Sequence, residues 1–327
     1  MKVNTNSFII ATSQYRSAIM GMAMLSIMLL HQCFISVVPF NIFHNFGNWG
    51  VDVFLFLSGM GMVNSLEKNT LKEFYIRRFM RIVPSCFFCG SLKYFIFILL
   101  GSSMLVLKEG LHLGIWSISS FDLWFIPTIL FLYIIAPLLH YMIEKWLFAT
   151  ILFILALFIF NGLIIRPNVG YDWFSLLGIF SWTVERLPVF FVGMLIIIKK
   201  SKININYSLS AFFLIAAICF KLLGKIDNDF SVFRACEFFA LTMSIPILIL
   251  SNIFILERIH PLCLNFFTYL GTYSFELYLI HEFIFWSIKI HFENVNSFCL
   301  LFISFIVSFL VAFLCKKIIN RLLSIIT

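Results

Sequence analysis

From Ser297 to Cys315 the chain reads SFCLLFISFIVSFLVAFLC, without one charged, amide or imidazole side chain. A run like this suits hydrocarbon rather than water, since a helix crosses a bilayer on about 20 predominantly apolar residues. Comparable stretches lie near residues 17–38, 49–66, 83–107, 121–143, 146–165, 185–199, 207–224, 234–256, 266–290 and 297–315, about ten in all. They are continuously apolar and lack the alternation of barrel strands, so helices are expected. Composition closes the soluble route. Of the 327 residues 62% are hydrophobic and 12% charged, whereas a soluble domain draws on about 25% charged residues. The expected fold is an all-α, polytopic membrane helix bundle forming a single domain over 1–327.

The first apolar run is long enough to span, and no small-residue cleavage site follows it, so it is expected to stay in place. The formal charge of +8 does not indicate nucleic acid, because the basic residues sort by side. With both ends inside, one face holds Lys2, Arg16, Lys68, Lys72, Arg77, Arg78, Arg81, Lys145, Lys199, Lys200, Lys202, Arg258, Lys316, Lys317 and Arg321. The other holds little beyond Lys108, Arg166, Lys225 and Lys289. The asymmetry predicts an even number of spans, both termini in the cytoplasm, and a multi-pass protein of the inner (cytoplasmic) membrane. Cys86 and Cys89 form a C-x-x-C inside an apolar run, with no second pair or ligand histidine nearby. They read as buried filler, and no metal is expected.

The loops are short, with no repeat or linker. The segment Glu67–Arg81 reads as a short amphipathic helix on the cytoplasmic side. The outer connections fall at 108–120 and 165–184, and the second, rich in aromatics and turn residues, is expected to form a partly re-entrant lid.

Ionisable groups in a bilayer cost about 2.5–3.5 kcal/mol on insertion scales, so each asks for a reason. The candidates are His31, Asp52, Lys93, Asp122, Glu185, Arg186, Lys221, Arg234, Glu237, His281 and Glu282. Arg234 and Glu237, three apart on one helix, can neutralise each other; Lys221 and Lys93 can snorkel. His31 stands deep in the first run. It is either a hydrogen-bonded structural imidazole or a group that takes and returns a proton near neutral pH. Arg77, Arg78 and Arg81 precede Pro84. They read either as residues facing anionic lipid or as guanidinium groups placed for a phosphorylated ligand.

Five segments in order resemble one family. The first run ends in His31; GVDVFLFLSGMGM is followed by FYIRRFMRIVP; LWFIPTILFLYIIAPLL comes next; ERLPVFFVGMLI and GTYSFELYLIHEFI complete the set. Together they are similar to the family-3 integral membrane acyltransferases, bacterial O-acyltransferases that modify surface polysaccharides, lipopolysaccharide, peptidoglycan or other glycans. The resemblance implies an acyl-CoA donor, usually acetyl-CoA, reached from the cytoplasm, and a carbohydrate hydroxyl as acceptor. It implies that Arg77, Arg78 and Arg81 hold the phosphates of CoA, and that His31 is the general base or carries the acyl group briefly. Asp52 would orient the imidazole or bind sugar hydroxyls. Trp124, Glu185, Tyr278 and His281 would line the acceptor site. The family usually carries an arginine eleven residues before the first-run histidine; this chain has Met20 there, and Arg16, one turn further out, is the candidate replacement. Partners implied are acyl-CoA, a surface or lipid-linked glycan and the bilayer. A glycan transporter would show paired repeats and broken helices, and a polysaccharide polymerase a large outer loop; neither feature stands out.

Overall fold

The computed structural model describes residues 2–32, 47–99, 124–169, 175–202, 204–226, 230–292 and 296–326. The helices in chain order are α1 (Thr5–Gln14), α2 (Arg16–His31), α3 (Trp49–Lys68), α4 (Leu71–Leu99), α5 (Phe125–Lys145), α6 (Leu147–Val169) and α7 (Leu176–Ile198). They continue as α8 (Tyr207–Ile226), α9 (Phe230–Leu256), α10 (Pro261–Thr272), α11 (Ser274–His291) and α12 (Ser297–Ile326). A two-residue antiparallel pair, β1 (Lys2–Val3) with β2 (Ile205–Asn206), joins Lys2 to Asn206 and Val3 to Ile205.

Seven helices among the described residues, α3, α5, α6, α7, α8, α9 and α12, are long and apolar enough to cross a membrane; α2 is a shorter apolar helix. Their outward faces are apolar as well. Phe148 and Leu163 of α6 and Phe302 and Leu310 of α12 are exposed, an arrangement that suits lipid rather than water.

Three local features depart from the reading of the sequence. The segment Glu67–Arg81 is not a separate amphipathic helix. Its start belongs to α3, and its remainder opens α4, which runs on through Pro84. The break falls at Asn69–Thr70, where Asn69 Nδ2 donates to Ser65 O at 2.8 Å. Thr70 and Glu73 form a capping box there. The Thr70 N–H donates to Glu73 Oε2 at 2.9 Å, and the Glu73 N–H to Thr70 Oγ1 at 3.3 Å; this satisfies backbone donors that a helix start leaves open.

The run 266–290 is two helices rather than one, parted at Tyr273 (φ −103°, ψ 8°). The hydroxyls of Thr272 and Ser274 bond the carbonyls of Thr268 and Gly271, offering the backbone an alternative to the helical ladder. In the expected lid, residues to Val169 and from Leu176 are helical, with a π-turn at Asn161–Ile165; residues 170–174, the loop 108–120 and Asp122 lie outside the described residues.

The chain divides into two compact units. One comprises Met1–Arg16, Asp52–Tyr75 and Pro127–His260; the other comprises Ser17–Val51, Ile76–Ile126 and Pro261–Thr327. In the first unit α8 and α9 pack along each other, and in the second α11 and α12 do.

Candidate active site

In the second unit, α2 and α10 touch backbone to backbone. A Cβ added at Gly21 would collide with the Phe267 carbonyl oxygen, and one added at Gly271 with that of Ser17. Each glycine thus meets the carbonyl four residues before its counterpart. Two helices running the same way give this reciprocal pattern, and small residues at the crossing allow so close an approach. The offset of 250 residues that relates Gly21 to Gly271 also relates His31 to His281. Through the crossing and the short bend at Tyr273, α2 and α11 bring the two imidazoles together.

His31 Nδ1 lies 2.9 Å from His281 Nε2, with ring centroids 4.9 Å apart. The two rings differ in access: His281 is 1% exposed, and the His31 side chain keeps 23% of its surface. His31 Nε2 lies 3.9 Å from Glu282 Oε2, beyond hydrogen-bonding reach but within strong electrostatic range. His281 Nδ1 turns to the carbonyls of Leu277 and Tyr278, at 2.9 and 3.1 Å. A file of aromatic rings leads to this pair. Trp124 meets Phe125 edge-on at 6.2 Å, Phe125 meets Tyr278 at 5.0 Å, and Tyr278 lies 6.1 Å from His281. Tyr278 is buried and Trp124 half-buried, so Trp124 presents the more open ring.

On α4, in the same unit, Arg77 and Arg81 are exposed, one turn apart, and Arg78 is half-buried. Twelve residues beyond Arg81, about 18 Å along a helix, Lys93 comes close enough to His281 to act on it electrostatically. Sequence reasoning missed Glu276. This buried carboxylate accepts from Ser85 Oγ at 3.1 Å and pairs with Lys316 Nζ at 3.6 Å. A carboxylate in the apolar phrase TYSFELYL was the signal for it.

The first unit holds Arg16, Asp52 and Glu185, each among its own partners. The Arg16 guanidinium lies against Gly61 of α3. Asp52 and Arg186, both without solvent exposure, pair at 3.3 Å. Their meeting follows from another close crossing. Gly59 of α3 abuts the Phe190 carbonyl, and Gly193 of α7 abuts that of Phe56. Each glycine faces the carbonyl three residues before its counterpart, and Asp52 and Arg186 stand equally far, about two turns, before the two glycines. Glu185 is held by two guanidinium groups, Arg166 and Arg234, each at 3.3 Å. Both lie over the Trp182 ring, at 4.3 and 4.5 Å. Arg234 therefore does not neutralise Glu237, its neighbour on α9; Glu237 pairs with Lys221 at 3.1 Å. Contacts between helices outcompete the weak pair within one. Cys86 and Cys89 are buried, and no cluster of metal-ligating side chains occurs among the described residues.

These pairs are expected to govern stability. Asp52→Asn removes the charge beside a fully buried guanidinium and should cost about 3 kcal/mol. The double replacement Asp52→Leu with Arg186→Met should recover most of that loss. Thermal unfolding of the detergent-solubilised variants measures both.

Thus the structure brings together His31, His281, Tyr278 and Trp124 in one unit, with the arginines of α4 in that same unit, and gives Asp52 and Glu185 buried ionic partners in the other. No curated protein and no solved structure matches the chain significantly. The family model described as the acyltransferase domain matches residues 18–317, an interval that holds all four crossing glycines together with His31 and His281. With that match over nearly its whole length and its set of bilayer-length apolar helices, the chain belongs to the acyltransferase 3 family and is a multi-pass membrane acyltransferase.

Proposed function

We propose that this acyltransferase moves an acyl group, acetyl in the first instance, from cytoplasmic acyl-CoA to a hydroxyl of a surface or lipid-linked carbohydrate in the inner membrane, with His31 as general base. The observation that carries the reading is the seat of His31. A partly accessible imidazole is held at 2.9 Å by a second, buried imidazole, in the unit that also contains Arg77, Arg78 and Arg81. Guanidinium groups suit the phosphates and pyrophosphate of CoA through paired, charge-assisted hydrogen bonds.

In the proposed reaction His31 takes the proton of the acceptor hydroxyl as its oxygen attacks the thioester carbonyl. The tetrahedral intermediate then expels the sulfur. The C–S bond breaks, the imidazolium returns its proton to the leaving thiolate, and the products are an acyl ester and free CoA thiol. Transfer through a transient acyl-imidazole gives the same products in two displacements, with the thiol leaving before the acceptor reacts. Trp124 offers a ring on which a sugar face can stack. Arg16 stands in for the arginine the family carries at the position of Met20. Asp52, ion-paired with Arg186, holds α3 against α7.

Mass spectrometry of surface glycans from cells with and without the gene tests the reading. The expected result is loss of an alkali-labile ester, acetyl by mass, with labelled acetyl-CoA passing its label to glycan in membranes that contain the protein. Identical glycan spectra and no transfer of label would remove it.

A further inference from the structure

Resting on His31 as the base, we propose that His281 is a positioning residue that keeps the His31 proton on Nδ1, makes Nε2 the basic nitrogen, and does so against the pull of Glu282. The backbone of α11 fixes the first proton. His281 Nδ1 faces two carbonyl oxygens, of Leu277 and Tyr278, which only accept, so Nδ1 carries a proton. A neutral ring with its proton there has only a lone pair to offer at Nε2. His31 Nδ1, 2.9 Å away, is then the donor of that bond, which leaves His31 Nε2 with the lone pair. Which nitrogen of a histidine is basic is set by the hydrogen bond the other makes.

Glu282 opposes this arrangement. Its carboxylate, 3.9 Å from His31 Nε2, attracts a proton to that same nitrogen, and a ring protonated there cannot act as base from that side. Among the described residues, Glu282 from α11 and Lys93 from α4 act electrostatically on the pair. With His281 present, its acceptor decides the tautomer. Once Nε2 takes the proton of an incoming hydroxyl, His31 is a cation that donates at both nitrogens. Nδ1 still donates to His281, and Nε2–H points towards Glu282, which steadies the charge. The proton is thus accepted without either ring turning, and Glu282 changes from competitor to counter-ion.

The test compares acyl transfer from labelled acetyl-CoA by the full-length protein and its variants, with thermal unfolding alongside. His281→Leu removes the acceptor and should lower kcat at least about 100-fold while the donor KM moves less than about threefold, as expected of a general base left in the wrong tautomer. His281→Gln, whose amide oxygen accepts from Nδ1–H, should stay within about tenfold of the parent, and Glu282→Gln added to His281→Leu should recover about tenfold, because the competing charge is gone. Side-chain 15N NMR of histidine-labelled protein, assigned with His31→Ala, reads the tautomer without needing turnover or any His281 variant to fold. Protonated Nδ1 with unprotonated Nε2 on His31 supports the proposal, and the reverse overturns it. Full activity of His281→Leu, or loss in His281→Gln as deep as in His281→Leu, also overturns it. Activity surviving in His31→Ala sinks the parent reading instead, since the base is then elsewhere.

Discussion

His31→Ala is expected to reduce acyl transfer by at least about a thousandfold in kcat, within the range a positioned general base supplies, while binding of the donor is left nearly unchanged. The separation of the two effects is the informative part. His31 lies at the end of α2 against α11, whereas the arginines proposed for the CoA phosphates lie near the start of α4. Loss of His31 removes proton transfer and leaves those guanidinium groups in place. Arg78→Ala and Arg81→Ala should do the opposite. Each removes a charge-assisted contact to phosphate worth about 1.5–3 kcal/mol, so donor KM should rise about tenfold or more with kcat less affected. Steady-state kinetics with labelled acetyl-CoA and the surface glycan measures all three variants. Equal losses in kcat and donor affinity for His31→Ala would mean that the imidazole binds donor rather than moving a proton.

Gly271→Leu is expected to disable the enzyme from a residue that takes no part in the chemistry. Any Cβ at this position collides with the Ser17 backbone, and a backbone carbonyl cannot swing aside as a side-chain tip can. α2 and α10 must separate, and the displacement carries on to His31 and His281, which share the offset of the crossing. Overpacking of this kind typically costs about 1–3 kcal/mol, and a shift of about 1 Å at a reacting group costs about 100-fold in rate. The expected variant unfolds several degrees lower and has lost at least 99% of its activity. Gly162→Ala is the comparison, because its added Cβ would meet only the Ala235 methyl carbon at 3.3 Å, where a small adjustment suffices. Its activity should be close to that of the parent. Similar behaviour of the two glycine variants would show that the histidine pair does not depend on the α2–α10 contact.

The sequence alone determined that the chain is a helical membrane protein. Uninterrupted apolar runs such as 297–315 leave a bilayer as the only solvent that suits them, and inside a bilayer the backbone must satisfy its own hydrogen bonds. It also exposed the residues worth examining, since an ionisable side chain in such a run stands out by its cost. His31, Asp52, Glu185, Arg186, Arg234, Glu237, His281 and Glu282 were all legible in that way, and the ordered motifs pointed to the family that the match over 18–317 then established.

What the sequence left open was who meets whom. Arg234 and Glu237, one turn apart, read as a pair, yet each finds its partner on another helix. Asp52 meets Arg186, and His31 meets His281 across 250 residues. The last two meetings follow from two glycine crossings, where the absence of a Cβ lets one backbone rest on another and fixes the register of residues further along both helices. Periodicity reports which face of a helix is apolar, but not which helix will lie against it. For this reason the identity of the charged groups could be read along the chain, while their partnerships, and with them the tautomer proposed for His31, came only with the packing.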